Sequence, residues 1–186
     1  MFRNFRLNSV LVPLAALAVV LTLACHRVEA QVKPFKITGG GVAPFGLSPF
    51  LGDQFPFNTH NAVGQATELG KYSALGRFQL DAFTGPLSAL FSSAEPCVFI
   101  AANGDRIQFD YAGTVELATD DGVTFTGVFI ATFTPVLTPG ANTGRFEKVI
   151  GGSFVMVATT KPFKFFEPNA PYTWEGNGTL EFRKGK

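Results

Sequence analysis

The chain has 186 residues, 46% of them hydrophobic and 13% aromatic, with 15 Lys and Arg against 14 Asp and Glu for a net charge of +1. No basic excess exists to grip a phosphate backbone, so nucleic acid is excluded as an expected partner. Beyond residue 30 the chain carries one histidine and one cysteine, which cannot build a standard zinc site, and no P-loop, Gly-x-Ser-x-Gly or Cys-x-x-Cys is present.

The first thirty residues read as a secretory signal. Arg3 and Arg6 make a basic start, Val10 to Ala24 is an apolar run too short for a comfortable membrane span, and Val28-Glu29-Ala30 puts small residues where a signal peptidase reads. A rival reading takes Thr22-Leu23-Ala24-Cys25 as a lipid-attachment site with Cys25 as the anchor. Either way the expected location is outside the cytoplasm: secreted, periplasmic or held at the cell envelope, with no membrane span. Cleavage after Ala30 leaves 12 basic against 13 acidic side chains, a size and charge that suit one domain. It also leaves a single cysteine, Cys97, in the apolar run Cys97-Val-Phe-Ile100. With His60 far away in sequence as the only remaining histidine, Cys97 reads as a buried small hydrophobe and not as a nucleophile.

Residues 31–61 carry Lys33-Pro-Phe-Lys36, Gly39-Gly-Gly41, Ala43-Pro-Phe45, Ser48-Pro-Phe50 and Phe55-Pro-Phe57. Proline removes ladder donors and glycine costs order, so this stretch is expected to be an irregular Phe/Pro/Gly-rich arm. Its phenylalanines argue against disorder and are expected to fill pockets on the surface of the body.

From residue 62 to 186 strand patterns alternate with turn signals. Ala62 to Leu69 is followed by Lys71 to Phe83, with Tyr72, Ala74, Gly76, Phe78, Leu80 and Ala82 on one face. Leu87 to Phe91 and Cys97 to Ala102 are two short apolar strands, and Asn103-Gly104 signals a two-residue type I′ hairpin. Asp105 to Ala118 alternates most clearly, with Ile107, Phe109, Tyr111, Gly113, Val115 and Leu117 together. Asp120-Asp121-Gly122 reads as a turn and not as a calcium loop, because the alternating acidic spacing is missing. Val123 to Phe133 turns Val123, Phe125, Gly127, Phe129, Ala131 and Phe133 inward. Ser153 to Thr160 is apolar on both parities and is expected to be covered on both faces. Pro171 to Arg183 closes the chain with Tyr172, Trp174, Gly176, Gly178, Leu180 and Phe182 inward.

The result is an all-β reading: about eight antiparallel strands in a barrel, preceded by the arm. Inward glycines at Gly76, Gly113, Gly127, Gly176 and Gly178 fit a closing sheet, where strands bend sharply and approach closely. Closure also removes the edges an apolar meander would expose. At Gly144-Arg-Phe146 and Gly151-Gly-Ser-Phe154, Gly144 is expected to take a positive φ, Phe146 to plug the barrel end, and Gly151-Gly152 to open the next strand at a tight corner.

The Gly144–Phe154 stretch is similar to a "GGTG-x-F…G" segment of the allene oxide cyclase and dirigent barrels. "GQATELGKY" (Gly64 to Tyr72) and "GDRIQFDYAGTVEL" (Gly104 to Leu117) look like segments of secreted bacterial proteins placed in that superfamily. The resemblance implies an eight-stranded antiparallel barrel. Through the cyclases it also implies an isomerase or cyclase acting on an apolar substrate, but none of the cyclase or dirigent polar residues aligns onto this chain, so no catalytic residue is assigned.

The inward aromatics are the candidate ligand-binding set: Tyr72, Phe78, Phe109, Tyr111, Phe129, Tyr172 and Trp174. If the lumen is open they line a site for a small apolar molecule; if phenylalanines fill it they are core, since eight strands enclose a space that is just filled or just holds one ligand. Glu68 and Arg77 are either a surface couple or polar groups at the barrel mouth. The leading expectation is a barrel without evident catalysis, needing no cofactor or metal, that binds a small apolar ligand or a surface partner. The alternatives are the cyclase-like isomerase and a structural envelope protein. Oligomeric state is not legible.

Overall fold

The computed structural model describes residues 30–43, 58–165 and 170–184. The signal segment with Cys25, and the arm phenylalanines Phe45, Phe50, Phe55 and Phe57, lie outside the described residues. Among those described, nine strands form one antiparallel sheet: β1 (Ala30–Ala43), β2 (Asn58–Ala66), β3 (Gly70–Gly85), β4 (Ser88–Ala101), β5 (Arg106–Ala118), β6 (Thr124–Pro135), β7 (Val149–Thr160), β8 (Phe163–Lys164) and β9 (Ala170–Arg183). The strand order is β5-β4-β3-β2-β1-β9-β7-β6-β8, and an additional β5–β6 pairing closes the sheet into a barrel-like ring. The short β8 pairs only with the first residues of β6. A 3₁₀ turn, Gly144–Lys148, precedes β7.

The alternation read from sequence sets the inside and the outside. In β6 every second side chain from Phe125 to Pro135 is buried, and the intervening ones are exposed. Three of the inward glycines, Gly113, Gly176 and Gly178, stand where strands crowd. A Cβ on Gly113 would run into the Ile130 carbonyl of β6, and one on Gly178 into the Ser153 carbonyl of β7.

The arm needs correction. Residues 30–43 are not irregular but a fourteen-residue strand that pairs along its whole length with β9. Its three glycines are the reason it can. A Cβ at Gly41 would strike the Asn61 backbone, and one at Gly39 would meet Trp174 Nε1 at 2.5 Å and the Val63 carbonyl at 2.7 Å. The glycines mark a close approach of backbones, not a loss of order. Pro34 falls where β2 has already ended, since β2 pairs only with Ile37–Val42, so its missing N–H breaks no ladder bond on that side. Phe35 fills no surface pocket; it is fully buried in the core.

Other details of the strand reading also shift. Leu87–Phe91 and Cys97–Ala102 belong to one strand, β4, whose pairing with β5 skips from Ser92 to Cys97. Pro96 sits inside that skip, as a proline in a paired strand must. Register shifts at Leu80/Ala82 and Phe83/Gly85 spoil the parity of β3, so Ala82 is exposed and Phe83 points out at 53% exposure. Val123 is exposed because it still belongs to the turn before β6. β7 is covered on one face only: Phe154, Met156 and Ala158 are buried, while Val155 and Val157 stand on the outer surface. The β4–β5 connection is not a two-residue type I′ turn. The Gly104 N–H donates to the Ala101 carbonyl and Ala101 N–H to Asp105, with Gly104 at φ +87°. That is the longer hairpin with a left-handed glycine.

The Gly144–Phe154 corner behaves as expected. Gly144 has φ +60°, where a Cβ would run into the Asp105 carboxylate. Phe146 is fully buried at this end of the barrel, and Gly152, at φ +102°, lies beside a register shift between Val149 and Gly151. The Asp120-Asp121-Gly122 turn is closed by Asp121. Its carboxylate accepts the N–H groups of Val123 (2.8 Å) and Thr124 (2.6 Å), and those bonds hold its pKa down at about 2.

Candidate functional site

The two halves of the interior are filled differently. Toward the end closed by the 3₁₀ turn, Phe35, Phe99, Phe109 and Phe154 form a dense aromatic cluster, and they and Phe146 are at most 1% exposed. Phe109 and Phe154 stand edge to face at 5.1 Å, and Phe35 lies 5.0 Å from Phe154. Such ring pairs add roughly 0.5–1.5 kcal/mol each beyond their burial. Toward the other end, where β1 finishes and β2 begins, the filling is incomplete. A cavity of about 40 Å³ remains, lined by Phe78, Phe91, Phe129, Phe133, Tyr111, Tyr172, Trp174, Ala158, Thr160 and His60 among others. This space suits a few waters or a very small molecule, since one water needs roughly 10–15 Å³ and drug-sized ligands occupy roughly 300–1,000 Å³.

Five of the seven candidate residues, Phe78, Tyr111, Phe129, Tyr172 and Trp174, line this cavity. Phe109 belongs to the dense cluster. Tyr72 is buried beside it, accepting a hydrogen bond from Trp174 Nε1 (2.7 Å) and donating to the Thr38 carbonyl (3.1 Å).

The residue that sequence reasoning passed over is His60. It shares the parity of Ala62 and Gly64, so carrying the β2 pattern back one period would have turned it inward. It pairs directly across from Gly76. A Cβ on Gly76 would collide with the imidazole and come within 3.0 Å of Cys97 Sγ. Gly76 therefore makes room for an interior histidine and brings it near Cys97, 37 residues away in sequence. The thiol is fully buried, and burial pushes its pKa well up, while burial lowers that of His60 to about 4. Both groups are neutral near pH 7, so they form no thiolate–imidazolium pair.

His60 Nε2 lies 3.0 Å from the Tyr111 hydroxyl, and Nδ1 3.3 Å from that of Tyr172. The Tyr172 hydroxyl donates to the Asn61 carbonyl at 2.8 Å. Its hydrogen being spent there, it accepts from His60 Nδ1–H, which leaves Nε2 to accept from Tyr111. The chain Tyr111→His60→Tyr172→Asn61 fixes the tautomer. Burial raises the pKa of both tyrosines far above the phenol value, with smaller upward contributions from Cys97 and, for Tyr111, from Tyr172. Thr160, also buried, accepts the Gly127 N–H at 2.7 Å.

Glu68 and Arg77 do not meet: Glu68 pairs with Lys33 at 3.1 Å and Arg77 with Glu95 at 2.6 Å. Among the described residues no cluster of three His, Cys, Asp or Glu side chains could hold a metal ion, and no helix is long and apolar enough to cross a membrane.

No protein-family model, curated protein or solved structure matches this chain.

Proposed function

We propose that this protein is a non-catalytic barrel that takes up a small apolar molecule carrying one hydrogen-bonding group, held in the incompletely filled end of the lumen beside His60. The observation that carries this reading is the cavity, ringed by aromatic side chains around a single hydrogen-bonded centre. An apolar enclosure with a few convergent polar groups is the usual build of a small-molecule site. The cavity volume sets the scale: a molecule of a few heavy atoms fits as the rings stand, and anything larger must displace a phenylalanine. The Val10–Ala24 run supports a role outside the cytoplasm.

Trp174 is the chain's only tryptophan and lines the cavity, so its fluorescence reports occupancy. Short alcohols such as methanol and ethanol are expected to change it saturably, and Ala158→Phe, which fills the cavity, is expected to abolish the change. A wild-type response that never saturates, or an unaltered response in the filled variant, would refute the proposal.

A cyclase-like isomerase is the second reading, supported by the Gly144–Phe154 likeness and by His60, a buried titratable group that touches a hydroxyl. The small cavity weighs against it. Turnover of an apolar epoxide that is lost in His60→Gln would favour it over simple binding.

A further inference from the structure

A second recess lies at the opposite, closed end of the barrel. It has a volume of about 320 Å³ and is lined by Gln31, Lys33, Glu68, Arg145, Lys148, Phe182, Arg183 and Lys184. Five of these eight side chains are cations and one is a carboxylate, in a chain whose overall charge is +1. The concentration is local and does not follow from composition.

Four of the five cations fall into two groups. Lys33 and Arg145 are held in place. Lys33 Nζ pairs with Glu68 at 3.1 Å and sits 4.9 Å from the centre of the Phe182 ring. Arg145 Nε donates to Asp105 at 2.9 Å and its Nη1 to the Glu68 carbonyl at 3.1 Å, with the guanidinium 5.6 Å from the Phe146 ring. These bonds fix the guanidinium and leave part of its donor fork unused, which is the arrangement that recognises phosphate and carboxylate groups at low entropic cost. Lys148 and Arg183, by contrast, are exposed and enter no salt bridge among the described residues. Glu68, the one carboxylate in the lining, is engaged by Lys33, and Asp105 binds Arg145 from outside the lining, so the recess keeps a positive excess. A concave, single-sign surface of this kind concentrates counter-ions.

We infer that this recess binds a small multivalent anion, a molecule bearing two or more phosphate or carboxylate groups. The volume, at the low end of ligand-pocket size, suits a compact molecule more than a polymer segment. Arg145 and Lys33 supply fixed contacts, and Lys148 and Arg183 close on the remaining charge. The site is separated from the lumen cavity by the phenylalanine cluster and does not depend on the lumen proposal.

The test is calorimetric titration of the full chain at 150 mM salt with inorganic pyrophosphate, citrate, inorganic phosphate and acetate. Pyrophosphate and citrate distinguish a phosphate from a carboxylate source, and tight binding by either one supports the site. The expected result is a Kd at least tenfold below that of acetate. Lys148→Glu combined with Arg183→Glu should weaken that binding at least tenfold, while Lys161→Glu, at the far end of the barrel, should leave it unchanged. Both changes are at exposed positions, and matched circular dichroism and melting temperature would confirm that the variants are folded. Equal affinity for acetate and pyrophosphate would overturn the inference, as would equal weakening by Lys161→Glu. So would binding to phosphatidylglycerol vesicles with none to pyrophosphate or citrate, which would make the recess a membrane-docking surface.

Discussion

The interior histidine makes the sharpest prediction about stability. Burial lowers the His60 pKa from 6.5 to about 4, because imidazolium would have to leave water for a site walled by aromatic rings. The unfolded chain therefore binds a proton that the folded chain refuses, throughout the window between these two values. Stability is full above pH 6.5 and declines as the pH falls, until about pH 4, below which both states are protonated and the loss stops growing. The full difference corresponds to about 3 kcal/mol, and about 2–3 kcal/mol of it is already lost at pH 4.5. Against a typical total of roughly 5–15 kcal/mol, that loss is large. Asp121, held at about 2, and Asp105, also lowered, give up their stabilising effect only below the ordinary carboxylate value of 3.8, outside this window. Urea denaturation of wild type and His60→Gln at pH 7.5 and 4.5 separates the effect. The glutamine keeps a donor and an acceptor but does not titrate. The variant is expected to be less stable at pH 7.5 and nearly flat between the two pH values, whereas wild type falls by about 2–3 kcal/mol. Equal declines in both proteins would refute the reasoning, as would an imidazole that titrates near 6.5 by NMR.

Two further outcomes follow from the same neighbourhood. Gly76→Ala places a methyl group against the His60 ring and is expected to cost roughly 1–3 kcal/mol in urea denaturation, the usual range for overpacking; a change within a few tenths would show that the imidazole can retreat. Cys97, buried with its pKa pushed up, is expected to resist iodoacetamide in the folded protein at pH 8 and to react at once in denaturant; rapid labelling of native protein would mean that the β3–β4 wall opens.

Most of the barrel was legible because period 2 is a strong signal where one face is wet. β5 and β6 alternate almost without exception, and Gly113, Gly176 and Gly178 mark close strand approach, whereas Gly76 and Gly127 make room for side chains. What failed did so for local reasons. Gly39-Gly40-Gly41 carries the same composition as a flexible linker, and only the facing backbones of β2 and β9 tell a tightly packed glycine strand from a loose one. Val155 and Val157 suggested a strand covered on both faces, yet β-branched residues also serve well on an exposed strand surface, so composition alone could not decide. At the candidate site, the aromatic lining was readable by parity. His60 was not, because the strand pattern is evident only from Ala62, four residues after β2 starts at Asn58. The proximity of His60 to Cys97 was beyond reach, since it depends on the pairing of β2, β3 and β4.

The direction of the hydrogen-bond chain limits what the lumen can hold beside His60. Tyr172 has given its hydrogen to the Asn61 carbonyl, His60 has given its own to Tyr172, and Tyr111 has given its own to His60. The Tyr111 oxygen at the start of the chain can therefore only accept, so it welcomes a guest that donates, such as a short alcohol. A guest that offers only an acceptor would have to turn the chain round, and Tyr172 would then abandon the Asn61 carbonyl. Leaving such a group without its partner costs roughly 1–3 kcal/mol. That cost applies only while the imidazole is neutral, and at pH 7 it is, with a pKa of about 4. The burial that makes His60 expensive in acid is thus what gives the site a fixed polarity at neutral pH.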